Sequence, residues 1–222
     1  MKTVKTIGLA ATAAVMMAAT PSLAATVIFD DFSGAAYQAV DTPSGSFGNT
    51  ATVAFGDGTR TLTADNATNN GISEAATSLA VAGGFLSFSN DDQATGTGTV
   101  TYTNVGDIAL SANPFFFFDV GVFDAVANFS AFVRDTFGGE STFSELLAPG
   151  FDPKLFFSQF TGTADFNSVA LLSFSISSEG LTDATDGSLD SISISAVPLP
   201  AGGLLLIAGL GGLASLRRKK RA

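Results

Sequence analysis

Residues Val169–Ser177 read VALLSFSIS, with Leu172, Phe174 and Ile176 two apart and Ser173, Ser175 and Ser177 between and after them. A period of two places alternate side chains on opposite faces of a strand, so the apolar set turns inward and the serines outward. Residues 189–195 (LDSISIS) repeat the pattern with Ile192 and Ile194 on one side, and residues 183–187 supply the turn between the two runs. Upstream, residues 128–137 alternate as well, with Phe129, Ala131 and Val133 opposed to Ser130, Phe132 and Arg134. Gly138-Gly139 then turns the chain.

The same reading extends outward. Residues 115–123, four phenylalanines followed by DVGVF, carry aromatics on both sides and predict a central strand covered on each face. Residues 51–55 and 59–63 flank Gly56-Asp57-Gly58, a hairpin signal. Residues 27–32, 85–89 and 99–103 (with Val100 and Tyr102 two apart) read as further strands. The Gly-, Ser- and Pro-rich segment up to Asn49 reads as a loop. So do residues 64–82, with one helical turn and an Asn69-Asn70-Gly71 turn, and residues 90–98. Residues 143–166 are less regular, with a turn at Asp152-Pro153. This segment shows no long helical period and no fixed-length repeat, which excludes solenoids and propellers. The fold class is therefore all-β, an antiparallel β-sandwich or barrel.

Both ends depart from this pattern. Lys2 and Lys5 precede an apolar run at 7–19 and a small-x-small site at Ser22-Leu23-Ala24. That is a secretory signal peptide, residues 1–24, cleaved after Ala24 with Ala25 as the next choice. The Sec translocon and signal peptidase follow as partners. Residues 197–222 read VPLPAGGLLLIAGLGGLASLRRKKRA. Val197, Pro198, Leu199, Pro200 and Ala201 form a stiff extended segment, because each proline fixes φ and restricts its predecessor. Residues 201–216 carry no charge. As a helix they span roughly 24 Å against about 30 Å of hydrocarbon, a short transmembrane segment. Arg217, Arg218, Lys219, Lys220 and Arg221 stop it on the cytoplasmic side. The fold is thus expected to carry a signal helix and a C-terminal hydrophobic helix around a domain at 25–196.

This tail resembles the VPLPA variant of the PEP-CTERM sorting signals of Gram-negative bacteria. The resemblance implies recognition of the pentad by an exosortase, a membrane cysteine protease or transpeptidase. It further implies cleavage near the pentad, then release or attachment at the cell surface. An ordinary membrane anchor is the competing reading of the same residues.

Composition narrows the chemistry. Residues 25–196 hold Arg60, Arg134 and Lys154 against all twenty Asp and Glu, a net of −17. Such a body repels nucleic acid and anionic membranes. Cys and His are absent, which removes disulfides, Ser-His-Asp and Cys-His nucleophiles and most zinc sites. All twenty-one Phe lie between Phe29 and Phe174, and most of them are read as core. Asn66-Ala67-Thr68 and Asn128-Phe129-Ser130 match the glycosylation pattern by chance.

The opening Asp31-Phe32 and the closing strand pair resemble galactose-binding-like jelly rolls, a fold shared with many carbohydrate-binding modules. The resemblance implies a jelly-roll sandwich and a structural calcium between the first and last strands. Asp30, Asp31 and Asp190 are its ligands in this sequence, with Asp183 and Asp186 as spares. Calcium takes six to eight oxygens, so carbonyls or water would complete the set.

Three roles remain. The first is a non-catalytic surface or matrix protein binding exopolysaccharide, with Tyr37 and Tyr102 as ring platforms. The second is a self-associating structural protein, using exposed strand edges and Ser/Thr-rich faces. The third is a two-carboxylate hydrolase or lyase drawn from Glu74, Glu140, Glu145 and Glu179. No motif marks a catalytic pair, so the expectation is a protein without catalysis.

Overall fold

The computed structural model describes residues 26–42, 48–68, 74–109, 113–150, 152–181 and 184–196. In chain order the first seven strands are β1 (Thr26–Asp30), β2 (Tyr37–Asp41), β3 (Asn49–Phe55), β4 (Gly58–Thr68), β5 (Thr77–Ala82), β6 (Phe85–Asn90) and β7 (Thr95–Gly106). The rest are β8 (Pro114–Phe123), β9 (Ala127–Asp135), β10 (Glu140–Leu147), β11 (Lys154–Phe156), β12 (Thr161–Gly162), β13 (Val169–Ser177) and β14 (Asp186–Ala196). One short 3-10 turn, Phe157–Gln159, follows β11, and the described residues contain no α-helix.

These strands form two antiparallel seven-stranded sheets. The first runs β11-β8-β14-β6-β5-β2, with β1 also paired to β14; the second runs β12-β10-β9-β13-β7-β4-β3. Their inner faces meet in one core. Phe116 and Phe118 of β8 stand edge-on to Phe174 of β13, with ring centroids 5.2 and 4.9 Å apart, and Phe118 meets Phe129 of β9 at 5.1 Å. Edge-to-face pairs of this kind add about 0.5–1.5 kcal/mol each to the area they bury.

The strands read from alternation form as expected. Leu172 and Phe174 are buried, as are Phe129, Ala131, Val133, Ile192 and Ile194. The β3–β4 hairpin closes with Phe55 opposite Gly58. Gly56 takes φ 54° at the first central position, the conformation a two-residue hairpin turn requires and a glycine tolerates.

Three expectations are corrected. Residues 64–68 and 77–82 are strand rather than loop: β4 runs on to Thr68, and β5 buries Thr77, Leu79 and Val81. Its TSLAVA sequence hides the alternation, because the outward positions are small residues rather than charges. The segments before Asn49 and after Phe143 likewise contain β2 and most of β10. The third correction concerns β8, which is not covered on both faces. It lies one strand from the sheet edge, and its outer residue Val122 is 66% exposed. The outward aromatics shield one another locally. Phe115 pairs with Phe156 at 5.1 Å, and the Lys154 ammonium sits 5.6 Å from the Phe117 ring.

The signal peptide with Ala24 and Ala25, the pentad Val197 to Ala201, the apolar run, the cations Arg217 to Arg221, Asp183 and the 69–71 turn all lie outside the described residues.

Candidate functional site

Asp30, named from the sequence as a metal ligand, is buried at the end of β1. Arg60 of β4 donates from Nη1 to both of its oxygens, at 2.6 and 2.7 Å. The Tyr102 hydroxyl donates to Oδ2 at 2.7 Å, and the Phe32 amide donates to Oδ1 at 2.8 Å. Arg60 Nε donates in turn to the Tyr37 hydroxyl at 2.7 Å. The guanidinium carbon sits 5.5–5.7 Å from the rings of Phe32, Tyr37 and Phe55.

Burial alone would lower the Arg60 pKa. The Asp30 carboxylate outweighs it and holds the guanidinium above its ordinary value. Burial, with the Asp30 charge beside it, pushes the Tyr102 phenol well up. The Tyr37 phenol is raised by burial too. All three groups therefore stay in one protonation state across the physiological range.

This cluster bears on two sequence assignments. An arginine sits beside Asp30 where the calcium was expected, and both of its carboxylate oxygens accept hydrogen bonds. Tyr102 is not a glycan platform, because it is wholly buried with its ring among Phe29, Phe55 and Phe174. Asp31 is exposed and accepts the Ser33 amide, the first cause of its lowered pKa being hydrogen bonding with Ser33. Asp190 is exposed on β14, and the Asp186 amide is held by the Asp124 carboxylate. Among the described residues no group of three carboxylates converges on a metal-sized space.

Tyr37 is half-buried beside an open hollow of about 290 Å³ at the free edge of β2, where Gln38 is the other polar side chain. An apolar cavity of about 30 Å³ at one end of the core, lined by Phe118, Phe123, Phe129 and Leu189 among others, is too small for a sugar ring.

Glu140 and Glu145 are five apart on β10, which puts them on opposite faces of the strand. Burial raises the pKa of Glu145, opposite the buried Phe129. Glu74 and Glu179 are exposed, and Glu179 accepts from Thr97 at 3.0 Å. Asn66 is tied into the fold, its amide hydrogens bound to the Ala75 carbonyl, while Asn128 is exposed on β9.

The outer face of the second sheet was not resolved into residues by sequence reasoning. Pairing places Thr52, Thr61, Thr101, Ser173, Phe132 and Thr142 in one row across six strands. The neighbouring row is Thr50, Thr63, Thr99, Ser175, Ser130 and Ser144. Eleven hydroxyls and one aromatic ring fill twelve positions, and none is charged. Some hydroxyls satisfy each other, as in Thr52–Thr61 at 2.9 Å, Thr99–Ser175 at 2.8 Å and Thr97–Ser177 at 2.8 Å. Those of Thr101, Ser173, Thr142, Ser130, Ser144 and Thr63 have no side-chain partner among the described residues. The signal was present in the sequence as Thr97, Thr99, Thr101, Thr103 and Ser173, Ser175, Ser177. Only the registers show that these runs are adjacent.

At the end of β9, Asp135 accepts the amides of Phe137 and Gly139 on Oδ1 and of Asp165 on Oδ2, each at 2.8 Å. The Asp165 amide is the largest cause of the lowered Asp135 pKa. Phe137, in this tied turn, is 86% exposed.

No family model and no curated protein matches the chain. Among solved structures, an agarase, AgWH50C, aligns with a TM-score of 0.47 and 12% identity over 78% of this chain and 25% of its own. The protein PfGH50B aligns at 0.42 and 13% identity over 61% of this chain and 22% of its own. A family 11 carbohydrate-binding module from Clostridium thermocellum aligns at 0.36 and 14% identity, over 76% of this chain and 94% of its own. The chain thus spans about a quarter or less of the length of the two larger proteins.

Proposed function

We propose that this protein is an exported, non-catalytic surface or matrix component whose jelly-roll sandwich binds glycan. One observation carries the binding role: a broad uncharged hydroxyl face on a body with a net charge of −17. Elsewhere, carboxylates crowd the surface and turns. Here threonine and serine alternate strand after strand, and sugar hydroxyls find donors and acceptors without a charge to desolvate. The separated glutamates support a role without hydrolysis.

Export and trimming rest on the terminal sequences. The pentad Val197 to Ala201 is the exosortase recognition segment in this reading, and the sandwich is what reaches the cell surface. Retention of the full chain on an array of neutral and acidic glycans tests the binding role; no retention at micromolar protein removes it. Mass spectrometry of protein recovered from producing cells tests the processing, and a mature chain still ending in RRKKRA overturns it.

Self-association is the second reading, favoured by the seven-residue β3, whose Thr-rich outer edge ends the second sheet. Gel filtration across a hundredfold concentration range distinguishes the two.

A further inference from the structure

Within the hydroxyl face one spot differs from the rest. Phe132 is its single aromatic, half-buried in the centre of β9 with its ring on the outer side of the sheet. Ser173 stands opposite it on one neighbouring strand and Thr142 on the other. Thr101 lies beyond Ser173, and Ser130 and Arg134 are two residues either side along β9. The hydroxyls of Thr101, Ser173, Ser130 and Thr142 have no side-chain partner among the described residues, as is also true of Ser144 and Thr63, whereas Thr52–Thr61, Thr99–Ser175 and Thr97–Ser177 are paired. Arg134 is exposed and, among the described residues, in no ion pair, although Glu140 stands opposite it.

We propose that Phe132 and the unpaired hydroxyls of Thr101, Ser173, Ser130 and Thr142 form the seat of a neutral polysaccharide chain. The ring offers an apolar face for the C–H side of a pyranose, and the surrounding hydroxyls and Arg134 meet its equatorial hydroxyls. This rests on the glycan-binding reading above and specifies its site and ligand class.

Charge selects the neutral class. The body carries a net of −17, so an approaching polyanion is repelled over a Debye length of about 8 Å, whereas a neutral chain is not. Shape selects a chain over a crystal face. Adjacent strands lie about 4.8 Å apart but rotate by roughly 20–25° per step, so six strands form a saddle. A flexible polymer can follow that surface, and a rigid lattice cannot. The hollow beside Tyr37 is the weaker candidate, because the Tyr37 hydroxyl is already held by Arg60 and only Gln38 remains to meet a ligand.

The test is affinity electrophoresis of the full-length chain in native gels containing glucomannan, dextran or hydroxyethylcellulose, with alginate as the polyanion. The expected result is retardation by at least one neutral polymer and none by alginate. Phe132→Ala and the hydroxyl-removing pair Thr101→Val with Ser173→Ala are each expected to weaken retardation about tenfold, the worth of one ring contact or of two hydrogen bonds. Phe132→Tyr keeps it, and Phe137→Ala and Gln38→Ala leave it unchanged. Circular dichroism melts of each variant separate loss of the seat from loss of the fold, and the Thr/Ser pair stands as evidence even where Phe132→Ala unfolds. Retardation that survives both sets of substitutions overturns the seat and leaves glycan binding standing. Loss with Gln38→Ala moves the site to the β2 edge. Retardation by alginate alone overturns the neutral class, and absence of retardation by every polymer removes the seat and the glycan reading together.

Discussion

At the scale of single residues, the Asp30–Arg60 pair decides how the first strand is fastened. Desolvating two charges costs several kcal/mol, and the structure offsets it with four hydrogen bonds to one carboxylate and one from Arg60 to Tyr37. Replacing only Arg60 by Met strands a buried carboxylate and is expected to cost about 3–5 kcal/mol in urea unfolding. Replacing both Arg60 by Met and Asp30 by Leu is expected to recover a large part of that loss; an additive outcome would show that the two groups are not coupled. Asp135 gives a pH signature. Its folded pKa is lowered, so its stabilisation is complete above the usual carboxylate range and disappears as pH falls through the folded value. Asp135→Asn should therefore lower the urea midpoint at pH 7, with the gap to the parent closing only as pH falls below the usual carboxylate range.

At the scale of elements, the strands legible in the sequence were those whose two faces differ in polarity. VALLSFSIS announces its register because serine and leucine cannot exchange faces without cost. TSLAVA at β5 and ESTFSELL at β10 do not, since small residues fill the outward positions of one and a half-buried Glu145 sits inward on the other. Tyr102 was legible as part of an alternating strand, while its burial against Asp30 depended on two elements 72 residues apart. The Thr and Ser runs were visible, and their alignment into rows was not, because register between distant strands is a tertiary property. Close packing also explains a glycine. A Cβ on Gly187 would lie 2.2 Å from the Phe123 ring, so Gly187→Ala must displace that ring. An overpacking cost of about 1–3 kcal/mol is expected from thermal melts, and a neutral result would mean that the β8–β14 contact can yield.

At the scale of the whole molecule, stability rests on the core and on strand pairing, because cysteine is absent. Reducing agents should leave the melting temperature unchanged. Salt should not: in residues 25–196 twenty carboxylates face only three cations, so like charges repel in the compact state, and screening relieves this. A rise of a few degrees between about 10 and 150 mM NaCl is expected by calorimetry, with a Debye length falling from about 30 to 8 Å. A melting temperature independent of salt would show that the carboxylates are spaced widely enough to ignore one another.

The placement of β14 has a temporal meaning. This final strand lies between β8 on one side and β1 and β6 on the other, so half of the sandwich has a gap at its centre until residues 186–196 arrive. A polypeptide delivered residue by residue, from a ribosome or through a translocation channel, cannot close that gap early. When β14 pairs, it sets Thr26 opposite Ser195, bringing the beginning and the end of the body side by side.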